Sequence, residues 1–346
     1  MSTTARTRPV RIVTTGGTIA SRRDVHGAVQ ALDPGLLIRS WPNVAAAGES
    51  PEVEEFAITG SHELTLDDSW CLARRLRVVA EARTKGIVVT HGTDCLEEAA
   101  FLAALIHRAR IPIVFTGAQR SADSPHPDGP RNVADAIALA SDPHTSQLGV
   151  VVAMDGVAFQ ARDVTKVSTH MLRAFDAPGH RAVARIRGGN VRVLGTAIPQ
   201  AVLHDAVLPS RLRRVDIVPV YLGADDVLLA AAVAGGAEGI VLEAMGAGNA
   251  TPTIFEGVLR AISKGIVVAV TTRVATGAVS ATYGNGGGHD LAEAGAVMLG
   301  DLKAPKARLA LSLALAATSG SDHARDLTLH LAGVNGAEEA GCSPTW

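Results

Sequence analysis

Six short runs constrain this chain more than anything else in it: "RIVT" (11–14), "GIVVT" (86–90), "IPIVFT" (111–116), "GVVVAM" (149–154), "GIVLE" (239–243) and "GIVVAVT" (265–271). They are dominated by apolar, largely β-branched residues, and each gives way to a polar or glycine-rich loop. A half-buried strand alternates apolar and polar side chains. Continuous apolar runs of this length fit strands covered on both faces, as in a parallel sheet. Between the runs lie stretches of helical spacing, at 66–82, 96–108 and 225–234. Asp67 or Asp68 is placed to cap the first of these helices, and Asp94 the second. Strands alternating with helices read as βαβ units, and the expected class is α/β.

At 346 residues the chain is long for a single core. The polar, basic stretch "PSRLRRVD" (209–216) is followed by a fresh set of α/β units. It places a boundary near residue 212, giving a larger N-terminal domain over 1–212 and a smaller C-terminal domain over 213–346. The 32 basic and 34 acidic residues are interspersed and nearly balance, at a net charge of −2. With no basic stripe or acidic tail, neither nucleic acid nor an anionic membrane is expected as a partner. Three cysteines, Cys71, Cys95 and Cys342, form no CxxC and leave one over, which suits a reducing compartment. The first residues lack the apolar stretch of a signal peptide, and no run approaches the roughly 20 apolar residues that span a bilayer. A soluble, cytoplasmic protein is the expectation.

In open parallel sheets, ligands bind beyond the carboxyl ends of the strands, so the loops after the runs are where chemistry belongs. The first run opens into Thr15-Gly16-Gly17-Thr18. Neither GxGxxG nor GxxxxGK[ST] is present, so a phosphate cradle is weakly supported. A plain turn and the mount of a nucleophile both remain. The second run opens into His91-Gly92-Thr93-Asp94, a hydroxyl beside a carboxylate at a helix N-terminus. A third candidate is Lys166, one of only five lysines in a chain whose other basic residues are arginines. Arginine stays protonated, whereas a lysine can be tuned to act as a base. The 12 histidines are scattered, with no HExxH and no Cys/His cluster, so no metal or other cofactor is expected.

With these loops in place, the chain resembles the bacterial-type L-asparaginase family, including its glutaminase-asparaginase members. "TGGTIA" (15–20) and "VTHGTDCLEE" (89–98) look like the two family signatures. "GAQR" (117–120), "DGPRN" (128–132), "RDVTK" (162–166), "GAGN" (246–249) and "RVATG" (273–277) match in the family's order. The resemblance covers roughly residues 9 to 335. It implies a larger, flavodoxin-like parallel-sheet domain, a smaller C-terminal α/β domain, and a homo-oligomer (dimer or tetramer) with the site near a subunit interface. It also implies hydrolysis of the side-chain amide of L-asparagine to L-aspartate and ammonia.

Residue by residue, the resemblance makes Thr18 the nucleophile or primary catalytic hydroxyl and Thr93 with Lys166 the second hydroxyl–lysine pair. Asp94 grips the substrate's α-ammonium, Ser61 its α-carboxylate, and Asn249 reaches the site of a neighbouring subunit. Three positions depart from the family pattern. The stretch "RRDVHGAVQALDPG" (22–35) lacks the tyrosine many members carry, His62 replaces a glutamine, and Tyr283 with Gly284 stand where a partner-supplied glutamate is usual. The departures at His62 and Gly284 keep open glutaminase or another small-amide hydrolase. A catalytically silent amino-acid binder on the same fold is the alternative of a different class.

Overall fold

Four of the six apolar runs lie side by side in one eight-stranded sheet. Its strands are β1 (Arg11–Gly16), β2 (Glu52–Thr59), β3 (Ile87–Thr90), β4 (Ile113–Thr116), β5 (Val150–Met154), β6 (Val157–Gln160), β7 (Ala184–Arg187) and β8 (Asn190–Val193). They are ordered β8-β7-β6-β5-β4-β3-β1-β2. This computed structural model describes residues 9–24, 29–41, 51–82, 84–195, 197–203 and 208–334. The first eight residues, residues 25–28 of the tyrosine-free stretch and Cys342 lie outside them. The chain forms two units, Met1–Pro199 and Gln200–Trp346.

In the first unit, β2, β1, β3, β4 and β5 are all parallel. Their apolar side chains are buried: Ile12, Val13, Val88, Val89, Val114 and Phe115 have no exposure. The register aligns Thr14 with Thr90 and Thr90 with Thr116, so the strands finish level and their loops emerge along one edge. Helices α1 (Pro34–Ser40), α2 (Leu66–Glu81), α3 (Leu96–Ala104) and α4 (Gly129–Ser141) make the crossovers. α4 packs on β3 and β4, and α2 on α3.

The sheet departs from the all-parallel expectation on one side. The stretch after β5 holds β6, which returns antiparallel to it. Asp155 and Gly156 form the two-residue turn at φ +48° and +74°. Two positive φ values in an Asp-Gly pair are a type I′ hairpin signature, because that turn matches the strand twist. Gly188 and Gly189, at φ +56° and +79°, join β7 to β8 in the same way. β2 also escaped the apolar criterion. It reads "EVEEFAIT", lies at the sheet edge and is mostly half-exposed, with Glu52 and Glu55 facing water and Glu54 paired with Arg75.

The helix caps differ as well. Thr65 caps α2, accepting from the Asp68 N–H, while the Asp68 carboxylate accepts from the Thr65 N–H. Asp68 thus closes a capping box and is not itself the cap. Cys95 precedes α3 without a side-chain capping bond, and Asp94 turns elsewhere. That helix stops at Ala104, short of residue 108, and the His107 ring Nε2 pairs with the Ile111 carbonyl at 2.8 Å.

The second unit holds a four-stranded parallel sheet, β9 (Val215–Pro219), β10 (Gly239–Ala244), β11 (Val267–Thr272) and β12 (Val297–Met298), in that order. Helices α5 (Val227–Ala234), α6 (Pro252–Ser263), α7 (Gly288–Glu293), α8 (Ala304–Ala317) and α9 (Ser321–Ala332) accompany it. Ile240, Leu242, Val268 and Val270 meet Ile254 and Val258 of α6 in a core with almost no exposure. Among the described residues no helix is long and apolar enough to cross a membrane.

Candidate active site

The carboxyl edge of the larger sheet brings six of the seven sequence-selected site residues together. Gly16 and Gly17, at φ +90° and +84°, carry the chain off β1 in a conformation that L side chains rarely adopt. Both also touch backbone. A Cβ on Gly16 would stand 2.6 Å from the Thr59 nitrogen, and one on Gly17 would stand 2.5 Å from Gly92 Cα. The two glycines let the loops after β1, β2 and β3 close on one another. The next residues, Thr18–Ala20, make a short 3-10 turn, tied back by Ser21 Oγ donating to the Thr18 carbonyl at 2.9 Å. Thr18 is thereby left at the head of the turn, on the cleft wall.

Thr93 is buried and Asp94 exposed at the turn before α3. Lys166 reaches across from a different segment: its Nζ donates to Thr93 Oγ1 at 2.9 Å and to Asp94 Oδ1 at 2.8 Å. The lysine side chain is only 20% exposed, whereas the Asp94 side chain is 62% exposed. Ser61, buried in the turn after β2, accepts from the Asp94 N–H at 3.2 Å. Its carbonyl takes the Cys95 thiol at 3.0 Å. Burial, with the Glu98 charge second, pushes that thiol's pKa up to about 11. His62 is exposed and lies 3.6 Å from Glu63, which Thr59 Oγ1 holds at 2.8 Å.

Two adjoining clefts, each of about 520 Å³, share Thr18, Ser21, Thr93 and Asp94. One extends over Thr59, Ser61, His62 and Glu63. The other extends over Gln119, Arg120, Asp123 and Lys166. Asp128 shapes this second wall, accepting from the Gln119 and Arg120 N–H groups at 3.0 and 2.9 Å. No acceptor among the described residues takes the N–H of Thr18 or Thr93. His91 is fully buried, its Nδ1 2.8 Å from the Gly92 carbonyl and its Nε2 without a partner, and burial lowers its pKa. Among the described residues no three His, Cys, Asp or Glu side chains group as metal ligands.

The seventh residue, Asn249, lies in the second unit. Its Oδ1 accepts from the Gly288 N–H at 3.2 Å, at the start of α7. Sequence reasoning passed over Glu97, whose buried carboxylate accepts from Thr165 Oγ1 at 3.1 Å and from the Lys166 N–H.

The family of the chain follows from comparison with known proteins. Residues 9–199 match "Asparaginase, N-terminal", and residues 214–327 match "Glutaminase/Asparaginase C-terminal domain". The chain belongs to the asparaginase family. Asparaginase-family relatives include the L-asparaginase of Bacillus licheniformis, 34% identical over 316 residues, covering 89% of this chain and 96% of that protein. The probable L-asparaginase of Deinococcus radiodurans is 36% identical, covering 88% and 92%. Among solved structures, the probable cytoplasmic L-asparaginase of Campylobacter jejuni superposes with a TM-score of 0.84 at 28% identity, covering 93% of this chain and 99% of that one. This family membership is that of amidohydrolases, and the two-unit α/β architecture is shared with the Campylobacter structure.

Proposed function

We propose that the chain is an L-asparaginase that hydrolyses the side-chain amide of L-asparagine through Thr18. The observation that carries this reading is Lys166 Nζ, 2.9 Å from Thr93 and 2.8 Å from Asp94, in a cleft that Thr18 also lines. Amide hydrolysis by a hydroxyl needs a base, donors for the developing oxyanion and charges that orient the substrate. Asp94 takes the α-ammonium and Ser61 the α-carboxylate, which sets the side-chain amide between Thr18 and Thr93.

Thr18 Oγ then attacks the amide carbon, and its proton passes to the Thr93–Lys166 pair. The free N–H groups of Thr18 and Thr93 receive the oxyanion. As the C–N bond breaks, the proton moves to the leaving nitrogen, which departs as ammonia. Water activated by the same pair attacks the Thr18 ester, releasing aspartate and restoring the hydroxyl.

The reading is tested by ammonia release from L-asparagine and L-glutamine with the intact protein and Thr18→Ala in parallel. Asparagine turnover that vanishes in the variant is expected; turnover of neither amide by the intact protein overturns the assignment. A second reading, glutaminase, draws on the roughly 520 Å³ cleft around Ser61 and the exposed His62, which leave room for a longer substrate. One methylene is worth only about 1–3 kcal/mol of discrimination, so both amides belong in the same assay.

A homo-oligomer, dimer or tetramer, in which Asn249 approaches a neighbouring copy's site, belongs to the same proposal. Light scattering after gel filtration reads the subunit number directly, and a monomer that is fully active would remove this part. A cytoplasmic location fits the free thiols Cys71 and Cys95 and the probable cytoplasmic L-asparaginase of Campylobacter jejuni.

A further inference from the structure

Lys166 is held at both ends by one five-residue segment. Thr93 and Asp94 take its Nζ, and Glu97, at the first turn of α3, takes its backbone N–H. The second Glu97 oxygen accepts from Thr165 Oγ1 at 3.1 Å, so both oxygens of this carboxylate engage consecutive residues of the lysine's own segment. Thr165 and Lys166 pair with Asp176 and Phe175 in a ribbon two residues long, and the flanking Val164 and Val167 N–H groups donate to the Gln160 and Ala174 carbonyls. Glu97 is 8% exposed, and a carboxylate seldom enters such a position without partners. A glutamate in the first turn of a helix is also favoured by the helix dipole alone, and such a residue would face solvent. This one faces inward.

We propose that Glu97 is a positioning residue for the reaction, fixing the backbone of Lys166 so that its amine meets Thr93. The inference rests on the role given above to Lys166. Long side chains reach a given point from many backbone placements, but a misplacement of about 1 Å costs on the order of 10²-fold in rate. Pinning the main chain at Lys166 while pinning Nζ at Thr93 removes that freedom. Both anchors come from residues 93–97, so the hydroxyl and the lysine that acts on it move as one body.

The test compares Glu97→Ala, Glu97→Gln and Glu97→Asp with Lys166→Ala and the unaltered protein, measuring kcat and KM for L-asparagine and the melting temperature of each. Glu97→Ala is expected to lower kcat about 10- to 100-fold, the usual range for a residue supporting a reactive group, with KM within about threefold. Glu97→Gln keeps an acceptor for the Lys166 N–H and a donor for Thr165 Oγ1, and should recover most of the loss. Glu97→Asp is one methylene short and should not. If Glu97→Ala and Glu97→Asp keep full kcat while Lys166→Ala is inactive, the positioning role is wrong and the catalytic reading stands. If Lys166→Ala keeps full activity, the catalytic reading itself fails. Should Glu97→Ala not fold, the contrast between Glu97→Gln and Glu97→Asp decides: equal kcat values overturn the proposal.

Discussion

Gly17 and Gly92 meet backbone to backbone: a methyl group added to Gly17 would stand 2.5 Å from Gly92 Cα, at a φ of +84°. Nothing at that contact can swing aside, because both partners are main chain. Gly17→Ala must therefore open the junction between the loops after β1 and β3, which carry Thr18 and Thr93. With ψ near −175°, this backbone is essentially reserved for glycine and costs an L residue about 1–3 kcal/mol before the clash is counted. We expect kcat/KM to fall about 10²-fold, with a lower melting temperature. A Gly17→Ala protein with unaltered turnover would show that the two hydroxyls need not be held together.

Thr93→Val removes one hydroxyl and keeps the shape of the side chain. Lys166 loses its 2.9 Å partner and retains Asp94 at 2.8 Å, so the lysine stays where it is. A proton relay of this kind contributes about 10²–10⁴-fold. The expected result is a kcat loss in that range with KM little changed. A loss confined to KM would move Thr93 from the chemistry to substrate binding.

The parts of this site that sequence made legible were those with local signatures. Apolar runs located the strands that carry the loops, and a threonine beside two glycines marked Thr18. The antiparallel side of the sheet was legible too, since Asp155-Gly156 and Gly188-Gly189 are hairpin dipeptides, but the apolar-run criterion does not weigh them. Glu97 was not legible. Its partners, Thr165 and Lys166, are 68 and 69 residues away, and a glutamate near a helix start looks the same whether it faces water or the core. The capping role of Asp94 failed for the converse reason. Its place before α3 suited a cap, and only the fold brings Lys166 close enough to take its carboxylate instead.

Acid should weaken the fold through two buried histidines. Burial lowers the pKa of both His91 and His107, so each stays neutral in the folded chain where an unfolded histidine, near 6.5, takes up a proton. The stability they allow is complete above about pH 6.5 and is lost as pH falls through the unfolded value toward the folded one. Each contributes a slope of up to about 1.4 kcal/mol per pH unit in that window. Urea unfolding at pH 7.5, 6 and 5 should show a midpoint that drops on the acid side, and less steeply in His107→Gln. A midpoint that is flat over this range would mean that both rings protonate as readily folded as unfolded.

Ser61 and His62 are neighbours in sequence and opposites in setting, which separates their expected effects on substrate affinity. Ser61 is 4% exposed, its hydroxyl accepts from the Asp94 N–H, and it lines the cleft beside Thr18. Ser61→Ala leaves the Asp94 N–H without its acceptor and, on the proposed reading, removes a partner of the substrate's α-carboxylate. A hydrogen bond to a charged group is worth about 1.5–3 kcal/mol, so KM for L-asparagine should rise about 10- to 100-fold. The His62 side chain is 70% exposed and its ring Nε2 lies 3.6 Å from Glu63, a contact open to water. His62→Gln should therefore shift KM for either amide by less than about threefold at fixed kcat. A large change in the asparagine-to-glutamine ratio in His62→Gln would make this exposed ring, and not the buried serine, the residue that selects the substrate.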